Sequence, residues 1–126
     1  MSTKRILCID ENDDICFLLV TFLKYEDLEA DSVQNSQDAL QTIADERFSL
    51  YILDGWLPGT DGRRLSRQIR DIDTNAPIVI YSADAQQLQR EDSTSTGAYT
   101  YVNKPDIDGL ISVVKQLLGL SESIDT

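Results

Sequence analysis

The chain has 126 residues, of which 41% are hydrophobic, and its 22 acidic against 11 basic residues give a formal net charge of -11. This length allows one domain with a buried core and is too short for two. Phosphate backbones would repel so acidic a surface, so we expect no direct nucleic-acid binding. No apolar stretch reaches the length of a signal peptide or a membrane span, which predicts a cytoplasmic protein without membrane contact.

Five short runs predict the strands. Four of them are mainly apolar, at residues 6–9, 50–53, 78–81 and 99–102, with Thr100 as the one polar residue among them. Strands of this kind are typical of a sheet that is covered on both faces. The run at residues 29–33 is polar, which predicts an edge strand.

Helical periods separate these runs. Apolar residues at i, i+3, i+4 and i+7 predict a first helix and a last helix, at Ile15, Leu18, Leu19 and Phe22 and at Ile107, Leu110, Ile111 and Val114. Asp106 is the predicted N-cap of the last helix. Weaker patterns predict helices that begin near Asn35 or Ser36 and near Asp61. Residues 85–96 have one large apolar residue, Leu88, and predict a short or mobile fourth helix.

Strand and helix alternate five times along the chain. Parallel strands need crossover connections, and right-handed crossovers place helices on both faces of the sheet. The predicted fold is therefore an α/β domain with a doubly wound, five-stranded parallel sheet.

Two residue types limit the chemistry. The chain has no histidine, which removes the commonest general base and zinc ligand and means that any phosphohistidine belongs to a partner. The two cysteines, Cys8 and Cys16, fall in a strand and in the following helix, and we expect both to be reduced thiols.

Five polar residues stand where the apolar runs end. They are Asp10, Glu11, Asp54, Ser82 and Lys104. The carboxyl ends of parallel strands form the ligand-binding edge of an open α/β sheet, so these side chains are expected to converge. Clustered carboxylates without His or Cys favour Mg2+, with calcium or manganese as competitors, and Lys104 and Ser82 are suited to hold an oxyanion. An EF-hand-type calcium loop is disfavoured, because Ile15 and Thr21 stand where such a loop needs Gly and Glu.

The motifs resemble the response-regulator receiver domains of two-component signalling over residues 4–118. The resemblance rests on Asp10-Glu11 after the first apolar run, on Asp54-Gly-Trp-Leu-Pro-Gly-Thr-Asp-Gly62, on Tyr81-Ser82-Ala83, and on Gly97-Ala-Tyr-Thr-Tyr-Val-Asn-Lys104-Pro105. Order and spacing match together, which is more specific than any single motif. It implies a flavodoxin-like (CheY-like) sheet with strand order 2-1-3-4-5.

The same resemblance implies a role for each site residue. Asp54 would be the phosphoacceptor and, with Asp10, Glu11 and the backbone carbonyl of Trp56, a ligand of Mg2+. Lys104 and Ser82 would bind phosphoryl oxygens. Ser82 and Tyr101 would be the switch residues that alter the face formed by the fourth helix, fifth strand and fifth helix.

Some positions depart from the family pattern. Glu11 replaces the commoner Asp, and Ser82 replaces Thr but keeps the hydroxyl. The bulky Trp56 stands at a position that affects phosphoryl lifetime in the family. Asp27 and Ser36 stand where turn glycines are usual, which affects local loop geometry.

Three other functions share parts of this pattern. A haloacid-dehalogenase-type phosphatase would need Asp in place of Asn12 and a better acidic pair than Asp106 and Asp108. A flavodoxin-like FMN binder would need a phosphate-binding first loop, whereas residues 10–14 are strongly acidic. A receiver-like interaction module whose output is independent of phosphorylation is the strongest rival, and it stays open.

The sequence thus predicts a signalling switch, not an enzyme, that assists its own phosphoryl transfer and hydrolysis. The expected donors are a sensor histidine kinase or a histidine phosphotransfer protein, with small acyl phosphates as alternative donors. We expect one domain over residues 1–126 with a short polar tail at 119–126, so the signal would pass to a downstream protein by contact.

Overall fold

The computed structural model describes residues 4–91 and 100–120. The elements in chain order are β1 (Arg5–Ile9), α1 (Asp13–Tyr25), β2 (Glu29–Val33), α2 (Ser36–Asp45), β3 (Leu50–Leu53), β4 (Trp56–Leu57), β5 (Thr60–Asp61), α3 (Gly62–Ile72), β6 (Ile78–Ser82), α4 (Ala85–Glu91), β7 (Thr100–Asn103) and α5 (Ile107–Leu117). All five predicted strands form. The last of them is observed one residue later than predicted, and Tyr99 lies outside the described residues.

The strands β2, β1, β3, β6 and β7 form one sheet in that order, and each neighbouring pair is parallel. With β6 and β7 as the fourth and fifth strands of the sheet, the predicted order 2-1-3-4-5 is confirmed. The polar strand β2 lies at an edge, as predicted, because its outward groups meet solvent and not a covering strand.

Helices cover both faces of the sheet, and successive residues of each strand serve opposite faces. In β1, Leu7 and Ile9 pack with residues of α2, α3 and α4, whereas Ile6 and Cys8 pack with residues of α1 and α5. The three inner strands are buried along both faces, which explains why their sequences show no polar alternation.

Side-chain caps fix where the helices begin. Asn12, Asn35, Asp61 and Asp106 each accept a hydrogen bond from a backbone N–H in the first turn of α1, α2, α3 and α5. The predicted starts of α2 and α3 and the predicted cap Asp106 are confirmed. Because α1 follows β1, which ends at the site, the Asn12 cap also fixes the backbone next to Asp10 and Glu11.

The buried side of α1 differs from the prediction. Cys16, Leu19 and Leu23 face the core, while Leu18 and Phe22 of the predicted stripe are partly exposed. The helix carries apolar residues around most of its circumference, including Phe17, which is 75% exposed. Periodicity identifies such a helix but does not decide which side packs against the sheet.

One local feature was not predicted. The sequence patterns predict no strand within residues 55–62, but Trp56–Leu57 and Thr60–Asp61 pair as a small antiparallel hairpin. The described part of the fourth helix is Ala85–Glu91. The predicted mobility of this segment is not tested, and residues 92–99 lie outside the described part of the chain.

Candidate functional site at the carboxyl ends of the strands

The backbone brings the predicted site residues to one edge of the sheet. The N–H of Asp10 donates to the carbonyl of Val33, and the N–H of Asp54 donates to the carbonyl of Ile9. The N–H of Lys104 likewise donates to the carbonyl of Ser82. Each residue therefore extends a strand ladder by one bond, so the side chains emerge side by side.

An acidic pocket of about 790 Å³ lies at this edge. It is lined by Asp10, Glu11, Asn12, Asp13, Asp14, Ile15, Asp54 and Lys104. A second cavity, at the opposite end of the sheet, is lined by Asn75, Pro77, Thr100, Val113, Gln116 and Leu117. That lining contains no ionisable side chain, so the candidate chemistry lies in the acidic pocket.

Lys104 joins two of the predicted carboxylates. Its Nζ lies 2.8 Å from Oδ2 of Asp10 and 3.3 Å from Oδ1 of Asp54. Asp10 is only 3% exposed, and its Oδ1 also accepts the backbone N–H of Asn12. The ammonium therefore offsets part of the negative charge that burial and crowding make costly here.

Burial and neighbouring charges shift the pKa values of Asp54 and Lys104 in different ways. Burial raises the pKa of Asp54, and the charge of Asp10 raises it further, while Lys104 only partly opposes them. Burial lowers the pKa of Lys104, but its hydrogen bond and charge interaction with Asp10, with a contribution from Asp54, outweigh burial and raise the pKa overall. Lys104 is thus a permanent cation at neutral pH, and the site would gain from further positive charge.

Ser82 is buried at the end of β6, where it is 1% exposed. A Cβ placed on Gly55 would lie 2.5 Å from the Ser82 Oγ, so this hydroxyl lies directly against the backbone that follows Asp54. The Ser82 Oγ donates to Oδ1 of Asp84 at 2.7 Å. Gly55 is therefore required for the close approach between the acceptor loop and β6.

Asp84 is a site residue that the sequence prediction missed. Its carboxylate accepts the Ser82 hydroxyl and also the indole Nε1–H of Trp56, at 2.9 Å for Oδ2. The Ser82 hydrogen bond is the main reason that the pKa of Asp84 is lowered, and Trp56 adds to it despite some burial. The sequence feature that could have identified Asp84 is its position, two residues after the strand-end hydroxyl of Ser82 and directly before α4.

The remaining predicted residues lie around this centre. Glu11 lines the pocket and is exposed, and its backbone carbonyl accepts a hydrogen bond from Gln34. Trp56 is 51% exposed on the hairpin that follows Asp54. Tyr101 is partly buried in β7 and packs against the core cluster on the α2, α3 and α4 face.

Comparisons with known proteins agree with this geometry. Residues 6–115 match the family model of the response regulator receiver domain. The chain belongs to the response regulator receiver domain family. The family and the fold class predicted from the motifs are therefore confirmed. The protein is a receiver domain of two-component signalling.

Similar receiver proteins differ in length. Sporulation initiation phosphotransferase F of Bacillus subtilis is 31% identical over 124 residues, which cover 98% of this receiver chain and 100% of that protein. Regulatory protein AtoC of Escherichia coli is 29% identical over 117 residues, which cover 92% of this chain but only 25% of AtoC. The receiver domain therefore spans one relative in full and a quarter of the other.

A solved structure provides a further comparison. Response regulator protein TrrA of Thermotoga maritima, in complex with Mg2+-BeF, is 34% identical, with a TM-score of 0.82 and coverage of 91% of this chain and 99% of that chain. Receiver domains accept phosphoryl groups from histidine kinases and act on downstream targets as signalling switches. Within residues 4–91 and 100–120 of this receiver domain, no helix is long and apolar enough to cross a membrane.

The donor chemistry of the receiver pocket fits a hard divalent cation. The pocket offers carboxylate oxygens from Asp10, Glu11 and Asp54, and the pKa of Asp54 is raised by burial first and by the charge of Asp10 second, both of which a bound cation would oppose. Among the described residues, no three acidic or thiol side chains are already gathered closely enough to form a metal cluster. An ion shared by Asp10, Glu11 and Asp54 would therefore need these carboxylates to come closer together.

Proposed function

We propose that this receiver domain accepts a phosphoryl group on Asp54 from a phosphohistidine of a partner protein, with Mg2+. The observation that carries the proposal is the placement of one ammonium, that of Lys104, against both Asp10 and Asp54 at the strand ends. A lysine is suited to neutralise phosphoryl oxygens, and Asp54 lines the open pocket from which a donor can be reached.

The transfer step balances with these groups. A carboxylate oxygen of Asp54 attacks phosphorus, the P–N bond of the phosphohistidine breaks, and its electron pair returns to the imidazole nitrogen. The product is an acyl phosphate on Asp54. The sequence contains no histidine, so the phosphohistidine lies outside it, and a sensor histidine kinase or a histidine phosphotransfer protein has the required chemistry.

Mg2+ would be held by Asp10, Glu11 and Asp54 together with the backbone carbonyl of Trp56. When bound, the ion supplies positive charge for the phosphoryl oxygens in the transition state. TrrA, whose structure is a complex with Mg2+-BeF, supports this assignment. Lys104 and the Ser82 hydroxyl would bind the other phosphoryl oxygens.

The proposed output is a change of the face formed by α4, β7 and α5. The Ser82 hydroxyl would move to the phosphoryl group, and Tyr101, which is already partly buried in β7, would turn further inward. A downstream protein would read the altered face by contact. The domain would also assist hydrolysis of the acyl phosphate on Asp54. In this scheme it acts as a switch and not as an enzyme with a separate substrate.

Intact mass after incubation with acetyl phosphate tests the proposal. We expect the native chain to gain one phosphoryl group only when Mg2+ is present, and the Asp54→Asn variant to gain none. Asp14→Asn is the matched control, because Asp14 lines the same pocket and has no assigned role. Equal labelling of the native chain and Asp54→Asn would refute the acceptor assignment.

A second experiment separates the phosphorylation-independent alternative. A histidine phosphotransfer protein loaded with phosphate supplies the protein donor, and partner binding is then measured before and after transfer. Binding that changes with phosphorylation supports a switch. Binding that is identical in both states, and in Asp54→Asn, would favour the interaction module.

A further inference from the structure

Asp84 holds two groups that belong to the proposed phosphoryl site. Its Oδ1 accepts the Ser82 hydroxyl at 2.7 Å, and its Oδ2 accepts the Trp56 indole N–H at 2.9 Å. We call Trp56, Ser82 and Asp84 the Asp84 network. It joins the segment after Asp54, the end of β6 and the start of α4.

A serine hydroxyl has a single proton to donate. The Ser82 Oγ can therefore donate to Asp84 or to a phosphoryl oxygen on Asp54, but not to both at once. A carboxylate is a strong acceptor because the hydrogen bond is charge-assisted, so it competes effectively with the phosphoryl group.

The network is also connected to the helix that would move. The backbone carbonyl of Asp84 accepts the N–H of Leu88, which makes Asp84 the residue that opens the first turn of α4. A Cβ on Gly55 would lie 2.6 Å from Leu88 Cδ1, so α4 packs directly against the segment after Asp54. A change in what Ser82 contacts is therefore adjacent to both α4 and the acceptor.

We propose that Asp84 is a positioning residue that competes with the phosphoryl group for the Ser82 hydroxyl, and so sets how readily the domain switches. This inference rests on the proposed function, because it needs a phosphoryl group on Asp54. The Trp56 indole shares the same carboxylate as Ser82, so it reports changes at Asp84.

The affinity of the domain for a phosphoryl analogue measures how strongly Asp84 competes for the Ser82 hydroxyl. Beryllium fluoride with Mg2+ is titrated by calorimetry into the native chain, Asp84→Ala and Asp84→Asn. We expect Asp84→Ala to bind about 5- to 10-fold more tightly, because one charge-assisted hydrogen bond no longer has to be broken. Asp84→Asn keeps an acceptor oxygen but loses the charge, so its affinity should be intermediate.

A double-mutant cycle separates the hydrogen bond from general charge effects. In a Ser82→Ala background, replacing Asp84 with Ala should change the affinity less than 2-fold, since the contested proton is gone. Glu91→Gln is the charge control: it removes one negative charge at the far end of α4, and Glu91 has no contact with Ser82 or Trp56 among the described interactions. We expect it to bind the analogue like the native chain.

Trp56 provides a readout that needs no ligand, because it is the chain's single tryptophan. Its emission should shift to longer wavelength in Asp84→Ala and stay unchanged in Glu91→Gln. Equal analogue affinity in the native chain and Asp84→Ala, or a gain that persists in Ser82→Ala, would overturn the competition.

The outcomes distinguish the two proposals. If the native chain neither binds the analogue nor gains a phosphoryl group, the proposed function fails and the competition fails with it. If the native chain does both and Asp84→Ala behaves like it, the proposed function stands and only the role of Asp84 is refuted.

Discussion

Lys104 and Asp10 form an ion pair at 2.8 Å across 94 residues of sequence, at the ends of two strands that are not neighbours in the sheet. The pair is more sheltered than the other lysine pair described, Lys115 with Glu26, in which both side chains are about one-third exposed. Shelter increases the cost of leaving one partner without the other.

We therefore expect Lys104→Met to lower the free energy of unfolding by about 2 kcal/mol, because Asp10 and Asp54 lose their shared counter-charge. Urea unfolding at pH 7 in the presence of a chelator measures the change. Lys115→Met is the control and should cost less than about 1 kcal/mol, as for an exposed pair. Adding Asp10→Asn to Lys104→Met should recover part of the loss, and equal costs for the two lysines would contradict the argument.

Gly62 lies where α3 begins and allows the acceptor segment to fold back. A Cβ at this position would lie 2.4 Å from the backbone carbonyl oxygen of Asp54. We expect Gly62→Ala to cost about 1 to 3 kcal/mol of stability and to reduce phosphorylation by acetyl phosphate, because the backbone of Asp54 must shift.

Gly59→Ala is the matched control for that variant. Gly59 has φ of 73° and open space around its Cβ position, so alanine there should cost about 1 kcal/mol through backbone strain alone. Phosphorylation of folded Gly59→Ala should match the native chain. A Gly62→Ala variant that is phosphorylated at the native rate would show that the acceptor tolerates the shift.

Tyr51 and Asp73 form a buried pair far from the site, with the Tyr51 hydroxyl 2.9 Å from Oδ2 of Asp73. Burial alone would raise the pKa of Asp73, but the N–H groups of Asn75 and Ala76 and the Tyr51 hydroxyl outweigh it and lower the pKa. A lowered carboxyl pKa stabilises the fold above the unfolded value of about 4, and the contribution is lost as the pH falls through the folded pKa.

Tyr51→Phe should consequently lower the free energy of unfolding by about 1 to 2 kcal/mol at pH 7. The difference from the native chain should begin to shrink below about pH 4, where the unfolded chain protonates this carboxyl, and should be lost as the pH falls through the lowered pKa of Asp73 in the fold. Chemical denaturation at a series of pH values measures it, and Tyr25→Phe, on an exposed ring, should have no effect. A pH-independent loss would mean that the hydroxyl acts by packing only.

Asp27 has φ of 63°, in the left-handed region that favours glycine, whereas Ser36 is the first residue of α2. Both stand where the family commonly has a turn glycine. Because only Asp27 has the left-handed conformation, substitution by glycine should change the free energy of unfolding in opposite directions at the two positions. We expect Asp27→Gly to raise the free energy of unfolding by about 0.5 kcal/mol through relief of strain. Ser36→Gly should lower it by about 0.5 kcal/mol because helical glycine costs entropy. Thermal unfolding of both variants at one pH measures the two changes in stability. Changes in the same direction would contradict the prediction.

The sequence determined the order of elements, the parallel sheet and the convergence of Asp10, Asp54 and Lys104. Those features follow from local patterns: apolar runs set the strands, caps such as Asp106 set the helix starts, and parallel strands must end at one edge. The family motifs lie at those ends, so the fold and the family could be read together.

Only the tertiary structure decided which groups are partners. The sequence placed Ser82 and Trp56 at the site but not the carboxylate between them, since Asp84 meets Trp56 across 28 residues through the packing of α4. It also could not choose the buried side of α1, whose apolar residues surround the helix. Both depend on distances between elements, and hydrogen bonds and packing act over a few ångströms that sequence spacing does not encode.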